Sequence, residues 1–216
     1  MSARFDWTRY WVERDGSMRT DDGFLADPGD PDGAFSPNPQ LVTTEGLLNA
    51  RCVVMLGEPG MGKSTELRTH YEALQAADEV VELLDLIEYG DEGRLVEDLD
   101  DKLASLQRAD QPHLLLDSLD ECRRRIPNVG LIVSQRLRKS GNEELRLRLA
   151  CRTGDWLDSL EDGLSGLYTD IAVRELAPLR KRDMAAACSA RGVDVDDFLA
   201  AVTGEVFRYS RAGRGP

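Results

Sequence analysis

From Leu41 onward the chain alternates short apolar runs with stretches whose apolar residues recur every three or four positions. Apolar runs bounded by turn formers predict buried strands, and the 3.6-residue recurrence predicts helices with one covered face. Strands are expected over residues 52–56, 80–87, 113–117, 145–151 and 169–175. The helices between them present Leu67, Tyr71 and Leu74; then Leu95, Leu99, Leu103 and Leu106; then Val129, Ile132, Val133 and Leu137 within a helix over 128–139. Strand and helix in alternation predict an α/β fold of three layers, a mainly parallel five-stranded sheet covered on both faces. One strand departs from this pattern. Leu145, Leu147 and Leu149 alternate with Arg146 and Arg148, as in a strand with one wet face.

After Pro178 the sheet pattern stops. Short helices are expected near 181–190 and 194–202, the second with a stripe of Val195, Phe198, Leu199 and Val202. The expected organisation is an aromatic, then Gly/Pro/Asp-rich N-terminal segment over 1–40, a core over 41–178, the beginning of a small helical lid over 179–205 and a flexible tail over 206–216. Phe5, Trp7, Tyr10 and Trp11 read as a docked hydrophobic flap, with covering a nucleotide or binding a partner as the other reading. Residues 15–39 read as loop or linker.

With 216 residues, 41% of them hydrophobic, the chain has material for one sizeable α/β domain. A net charge of -13 opposes unselective binding to nucleic acid or anionic membrane, both of which need positive potential. Residues 1–14 lack the apolar core of a signal peptide, and no run approaches transmembrane length. Cys52, Cys122, Cys151 and Cys188 form no C-x-x-C pair and read as reduced thiols of a cytoplasmic protein, with Cys52 and Cys151 as core filling. His70 and His113 have no ligand-like spacing.

The chemistry concentrates after the first core strand. Gly57-Glu58-Pro59-Gly60-Met61-Gly62-Lys63-Ser64 fits G-x-x-x-x-G-K-[ST], directly behind the apolar run 52–56 and ahead of a periodic helix. Its glycines let backbone N–H groups turn inward onto phosphate oxygens, and a helix beginning near Gly62 adds its positive dipole end. Lys63 supplies a charge for β- and γ-phosphates and Ser64 a hydroxyl for Mg²⁺, so Gly57 through Thr65 is the expected cradle for ATP or ADP. A second motif, His113-Leu114-Leu115-Leu116-Asp117-Ser118-Leu119-Asp120-Glu121, puts carboxylates at the end of a buried strand. Asp117 is the expected metal ligand, directly or through water; Glu121 is first choice for orienting and deprotonating water, Asp120 the alternate. The run Arg123-Arg124-Arg125 reads as a solvated face, with an arginine finger toward a neighbouring subunit as the other reading.

Asp117-Ser118-Leu119-Asp120-Glu121 after a leucine strand resembles the D-[GAS]-hydrophobic-D-E signature of NACHT-type domains, within the STAND class of AAA+-related P-loop ATPases. Leu147 through Trp156 is similar to the sensor 1 strand and polar terminus of bacterial NACHT-like proteins, and Glu175-Leu176-Ala177-Pro178-Leu179 to the segment entering the family's lid. The resemblance spans roughly residues 41–190. It implies that Arg152 lies near the γ-phosphate and that ATP binding with slow hydrolysis drives a signalling switch, in bacteria often in antiviral defence. It also implies protein partners or self-assembly through regions outside this chain. Two other readings stand beside it: a nucleotide-binding scaffold without meaningful turnover, and a small-molecule P-loop kinase.

Overall fold

The computed structural model of the chain describes residues 5, 7–28, 38–47 and 49–201. Pro31, Pro37, Val202 and the tail expected over 206–216 lie outside them. Contacts divide the chain into two units, Glu45–Leu176 and Met1–Thr44 with Ala177–Pro216.

In the second of these units, β1 (Tyr10–Glu13) pairs antiparallel with β4 (Val42–Thr43), and β2 (Thr20–Asp21) with β3 (Phe24–Leu25). The β2–β3 pair turns through Asp22 (φ 49°) and Gly23 (φ 83°). Two successive positive φ values are what the tight turn of a right-twisted hairpin needs, and Asp-Gly is the sequence that supplies them. The stretch over 15–39 is therefore not all loop, as its composition suggested. Trp11 is fully buried and donates its Nε1–H to Thr44 Oγ1 at 3.0 Å. Buried Arg180 donates Nε and Nη2 to the two carboxylate oxygens of Asp183, each at 2.7 Å, and Nη1 to the Tyr10 hydroxyl at 3.2 Å.

The unit Glu45–Leu176 runs β5 (Cys52–Leu56), α1 (Lys63–Ala76), β6 (Val81–Asp85), α2 (Glu92–Leu106), β7 (His113–Asp117), α3 (Leu119–Arg123), α4 (Val129–Ser140), β8 (Arg146–Cys151), α5 (Asp158–Ser165) and β9 (Ile171–Leu176). Its five strands are all parallel, in the order β9-β5-β8-β7-β6. They correspond to the five expected from sequence. β6 stops early because the Asp85 carboxylate accepts the Ile87 N–H and closes a 3₁₀ turn over Leu86–Glu88.

Side chains alternate across a strand, so residue parity separates the two faces. Cys52, Val54 and Leu56 share a core with Leu114, Leu116, Leu147 and Leu149 and with Leu95, Leu99, Val129, Ile132 and Leu160 of α2, α4 and α5. Val53, Met55, Leu115 and Ala150 are equally buried on the opposite parity, the face where α1 packs against β6, β7 and β8. That double cover corrects the reading of β8 as a strand with one wet face. It lies between β5 and β7, and Arg148, 3% exposed, donates Nη1 to the carbonyls of Leu147 at 2.9 Å and Arg51 at 3.2 Å. Burial holds its guanidinium down to about 10. The four cysteines are buried and unbridged.

In the other unit, α6 (Lys181–Arg191) follows Arg180, and residues 195–201 are helical. No helix among the described residues is long and apolar enough to cross a membrane.

Candidate functional site

β5 ends at Leu56 and the chain bends through Gly57–Gly62 before α1 begins at Lys63. Gly60 (φ 79°) and Gly62 (φ 101°) take left-handed conformations that side chains resist, and Gly62 caps the helix in that conformation. Nothing lies within 4 Å of where a Cβ on Gly60 would stand, so the space above it stays open. The first N–H groups of α1 have no carbonyl behind them within the helix and remain available to an anion.

Across the sheet edge, β7 ends at Asp117 and the chain reverses at Ser118, whose φ of 59° is unusual for a residue with a side chain. This turn starts α3 and swings Asp120 and Glu121 back toward the bend. Asp117 Oδ1 accepts the Ser118 N–H at 2.8 Å and the Ser64 hydroxyl at 3.1 Å. Burial pushes the Asp117 carboxyl above its usual range, and those two hydrogen bonds oppose the shift. The Lys63 ammonium donates to the carbonyls of Gly57 at 2.6 Å and Glu58 at 3.1 Å. Burial lowers its pKa from the ordinary value, with Asp120 acting in the opposite direction.

β8 lies between these two strands and delivers Arg152 from its end. The Arg152 N–H donates to Asp120 Oδ1 at 3.2 Å, Nε stands 2.6 Å from Asp120 Oδ2, and Nη2 donates to Glu121 Oε1 at 3.3 Å. Asp120 Oδ2 takes no aligned hydrogen bond among the described residues, so its short contact with Nε is an ion pair. Next to this group, burial lifts the Cys151 thiol to about 12, with Asp120 adding to the rise, so it stays protonated and inert.

These residues enclose one cavity of about 290 Å³, lined by Gly60, Gly62, Lys63, Ser64, Thr65, Asp117, Ser118, Asp120, Glu121, Ala150 and Arg152. Ligand sites run from roughly 300 to 1,000 Å³, so this volume suits a chain of phosphates better than a whole nucleotide. Of the expected residues, Gly57, Glu58, Pro59 and Met61 shape the bend without lining the cavity. Ser118 lines it too, a position marked in sequence only by the small residue between the acids of the motif. Arg123 donates to the Asp155 carbonyl at 3.3 Å and Arg125 to the Ile87 carbonyl at 2.9 Å, so two of the three arginines have bonds within this unit.

A divalent cation fits the donors present. Ser64 and Asp117 offer hard oxygens, and the Asp117 carboxylate is buried with hydrogen-bond donors alone in direct contact, a shortage of positive charge that a cation relieves.

No family model matches the chain, and no curated protein is similar to it in sequence. Among solved structures, a DNA replication initiation factor aligns over 77% of this chain and 56% of its own, at 13% identity and a TM-score of 0.46. PCH-2 from C. elegans aligns over 62% of this chain and 37% of its own, at 16% identity and a TM-score of 0.38. The chain thus spans less than two thirds of either protein.

Proposed function

We propose that this chain is a Mg²⁺-dependent nucleoside triphosphatase, with ATP the favoured substrate, acting as a signalling switch of NACHT/STAND type. The observation that carries the reading is the Ser64–Asp117 hydrogen bond of 3.1 Å inside a cavity also lined by Lys63, Glu121 and Arg152. Phosphate cradle, metal ligands, water acceptor and a second cation then line the same cavity.

In this reading Gly60, Gly62 and the first turn of α1 bind the phosphates through N–H groups, while Lys63 leaves the Gly57 and Glu58 carbonyls to neutralise the β- and γ-phosphates. Ser64 and Asp117 would hold Mg²⁺, which when bound supplies charge neutralisation along the phosphates. Glu121, more exposed than Asp120, orients water and takes its proton. The water oxygen bonds to the γ-phosphorus, the bond to the β,γ-bridging oxygen breaks, and nucleoside diphosphate and inorganic phosphate leave. Arg152 offsets charge on the γ-phosphoryl group.

The switch assignment draws on the sensor-like position of β8 and on Ser118 in the D-[GAS]-hydrophobic-D-E turn. Partners, self-assembly and a role in bacterial defence belong to the same proposal. A scaffold that holds nucleotide without turnover is the second reading, favoured by the engagement of Glu121 with Arg152.

Single-turnover hydrolysis separates the two. Glu121→Gln is expected to slow product formation about 10²- to 10⁴-fold while nucleotide still binds. No product from the wild type would remove the hydrolase reading, and equal rates for wild type and Glu121→Gln would remove Glu121 as the water acceptor.

A further inference from the structure

Resting on that proposed function, we infer that Arg152 exchanges partners: anchored throughout on Asp120, it holds Glu121 when no triphosphate is bound and gives it up to the terminal phosphate. Glu121 then accepts from water only when its substrate is in place, and Asp120 is a positioning residue, not a second base.

The asymmetry of the two contacts carries the inference. Asp120 is 5% exposed and meets both the backbone N–H and Nε of Arg152, so releasing it would strand a buried carboxylate. Glu121 is 36% exposed and meets only Nη2, at 3.3 Å. A carboxylate so placed rehydrates at small cost, and its half-exposed ion pair is weak. Among the described residues Arg152 Nη1 has no partner, although Arg152 lines the phosphate cavity.

A nucleoside diphosphate held by the Gly60–Thr65 bend would occupy that end of the cavity. The third phosphate carries additional negative charge toward Asp120, Glu121 and Arg152, which line the same cavity. Guanidinium pairs with phosphate through two parallel N–H bonds, so a γ-phosphate competes well against one long carboxylate contact. A diphosphate offers no such competitor. The exchange therefore distinguishes triphosphate from diphosphate and couples that distinction to the availability of Glu121.

The test is a double-mutant cycle on equilibrium affinity, using Mg²⁺ with the β,γ-imido analogue of ATP and, separately, ADP. Glu121→Gln is expected to tighten analogue binding about three- to fivefold, the range for losing a half-exposed ion pair, and to leave ADP within about twofold. In an Arg152→Gln background that gain should vanish, because the two residues act through each other. Arg152→Lys serves as a second variant should Arg152→Gln not fold. Asp120→Asn should lower the affinity ratio of analogue to ADP without weakening ADP.

Persistence of the gain without Arg152 would show Glu121 acting through its own charge and overturn the exchange. Absence of the gain, or an equal gain for ADP, would overturn it as well. A wild-type protein that binds neither nucleotide, or binds both as well as Lys63→Ala does, would instead refute the underlying triphosphatase reading and the exchange with it.

Discussion

The Ser64 hydroxyl, on the first turn of α1, donates to the Asp117 carboxylate at the end of β7 across 3.1 Å, although 53 positions separate them and β8 lies between their strands. Two oxygens brought together this way suit one hard cation. Ser64→Ala and Asp117→Asn should each weaken Mg²⁺-dependent nucleotide affinity at least about tenfold while changing metal-free affinity far less. Titrations with and without Mg²⁺ check this, and equal losses in both conditions would count against a metal between these residues.

Ser118 occupies a left-handed backbone conformation at φ 59°, where a side chain costs free energy and glycine does not. Ser118→Gly should leave stability within about 1 kcal/mol of wild type or raise it, whereas Ser118→Val should cost about 1–3 kcal/mol. Urea unfolding gives both values. A valine tolerated as well as glycine would show that the turn relaxes.

On the α1 face, His70 and His113 meet edge to face, ring centroids 6.1 Å apart. Burial, with Arg148 adding to it, holds both imidazoles down to about 4 from the usual 6.5. The unfolded chain therefore binds protons between pH 6.5 and 4 that the folded chain refuses, and stability rises with pH across that window. On acidification from pH 7 to 5, part of the stability is lost, on the order of 1–2 kcal/mol per histidine after discounting the partial exposure of His70. His113→Asn should flatten that slope in urea unfolding. An unchanged slope would place the acid sensitivity elsewhere.

Leu116 is fully buried in β7, in the core shared with α2 and α4. Leu116→Ala should cost about 2–5 kcal/mol through lost burial and the cavity left behind. Because Leu116 directly precedes Asp117, nucleotide affinity should fall with it. A loss under 1 kcal/mol in urea unfolding would mean that the core closes over the gap.

The site was legible in sequence where its chemistry is local. The phosphate loop and the acidic turn each occupy a few consecutive residues, and the apolar runs before them need no partner to be recognised. β5 and β7, apolar on both faces, were readable for the same reason. β8 was misread because its covered arginine keeps the charge that normally marks a wet face; the carbonyls of Leu147 and Arg51 that accept from Arg148 are visible only in three dimensions. The meeting of His70 and His113 depends on how α1 crosses β7, which leaves no local pattern. Likewise, the engagement of Glu121 by Arg152 spans 31 positions and two strands' ends. The β2–β3 hairpin did carry a local signal, the Asp22-Gly23 pair, obscured by the surrounding glycine, proline and aspartate.

Whether a triphosphate occupies the bend after Leu56 is read by calorimetric titration of ATP into the wild-type chain and Lys63→Ala, each with and without Mg²⁺. One saturable site is expected in the wild type, needing Mg²⁺ for full affinity and binding about 10- to 100-fold more weakly in Lys63→Ala, the range for a charge-assisted phosphate contact. No heat of binding in the wild type, or the same affinity in both proteins, would contradict it.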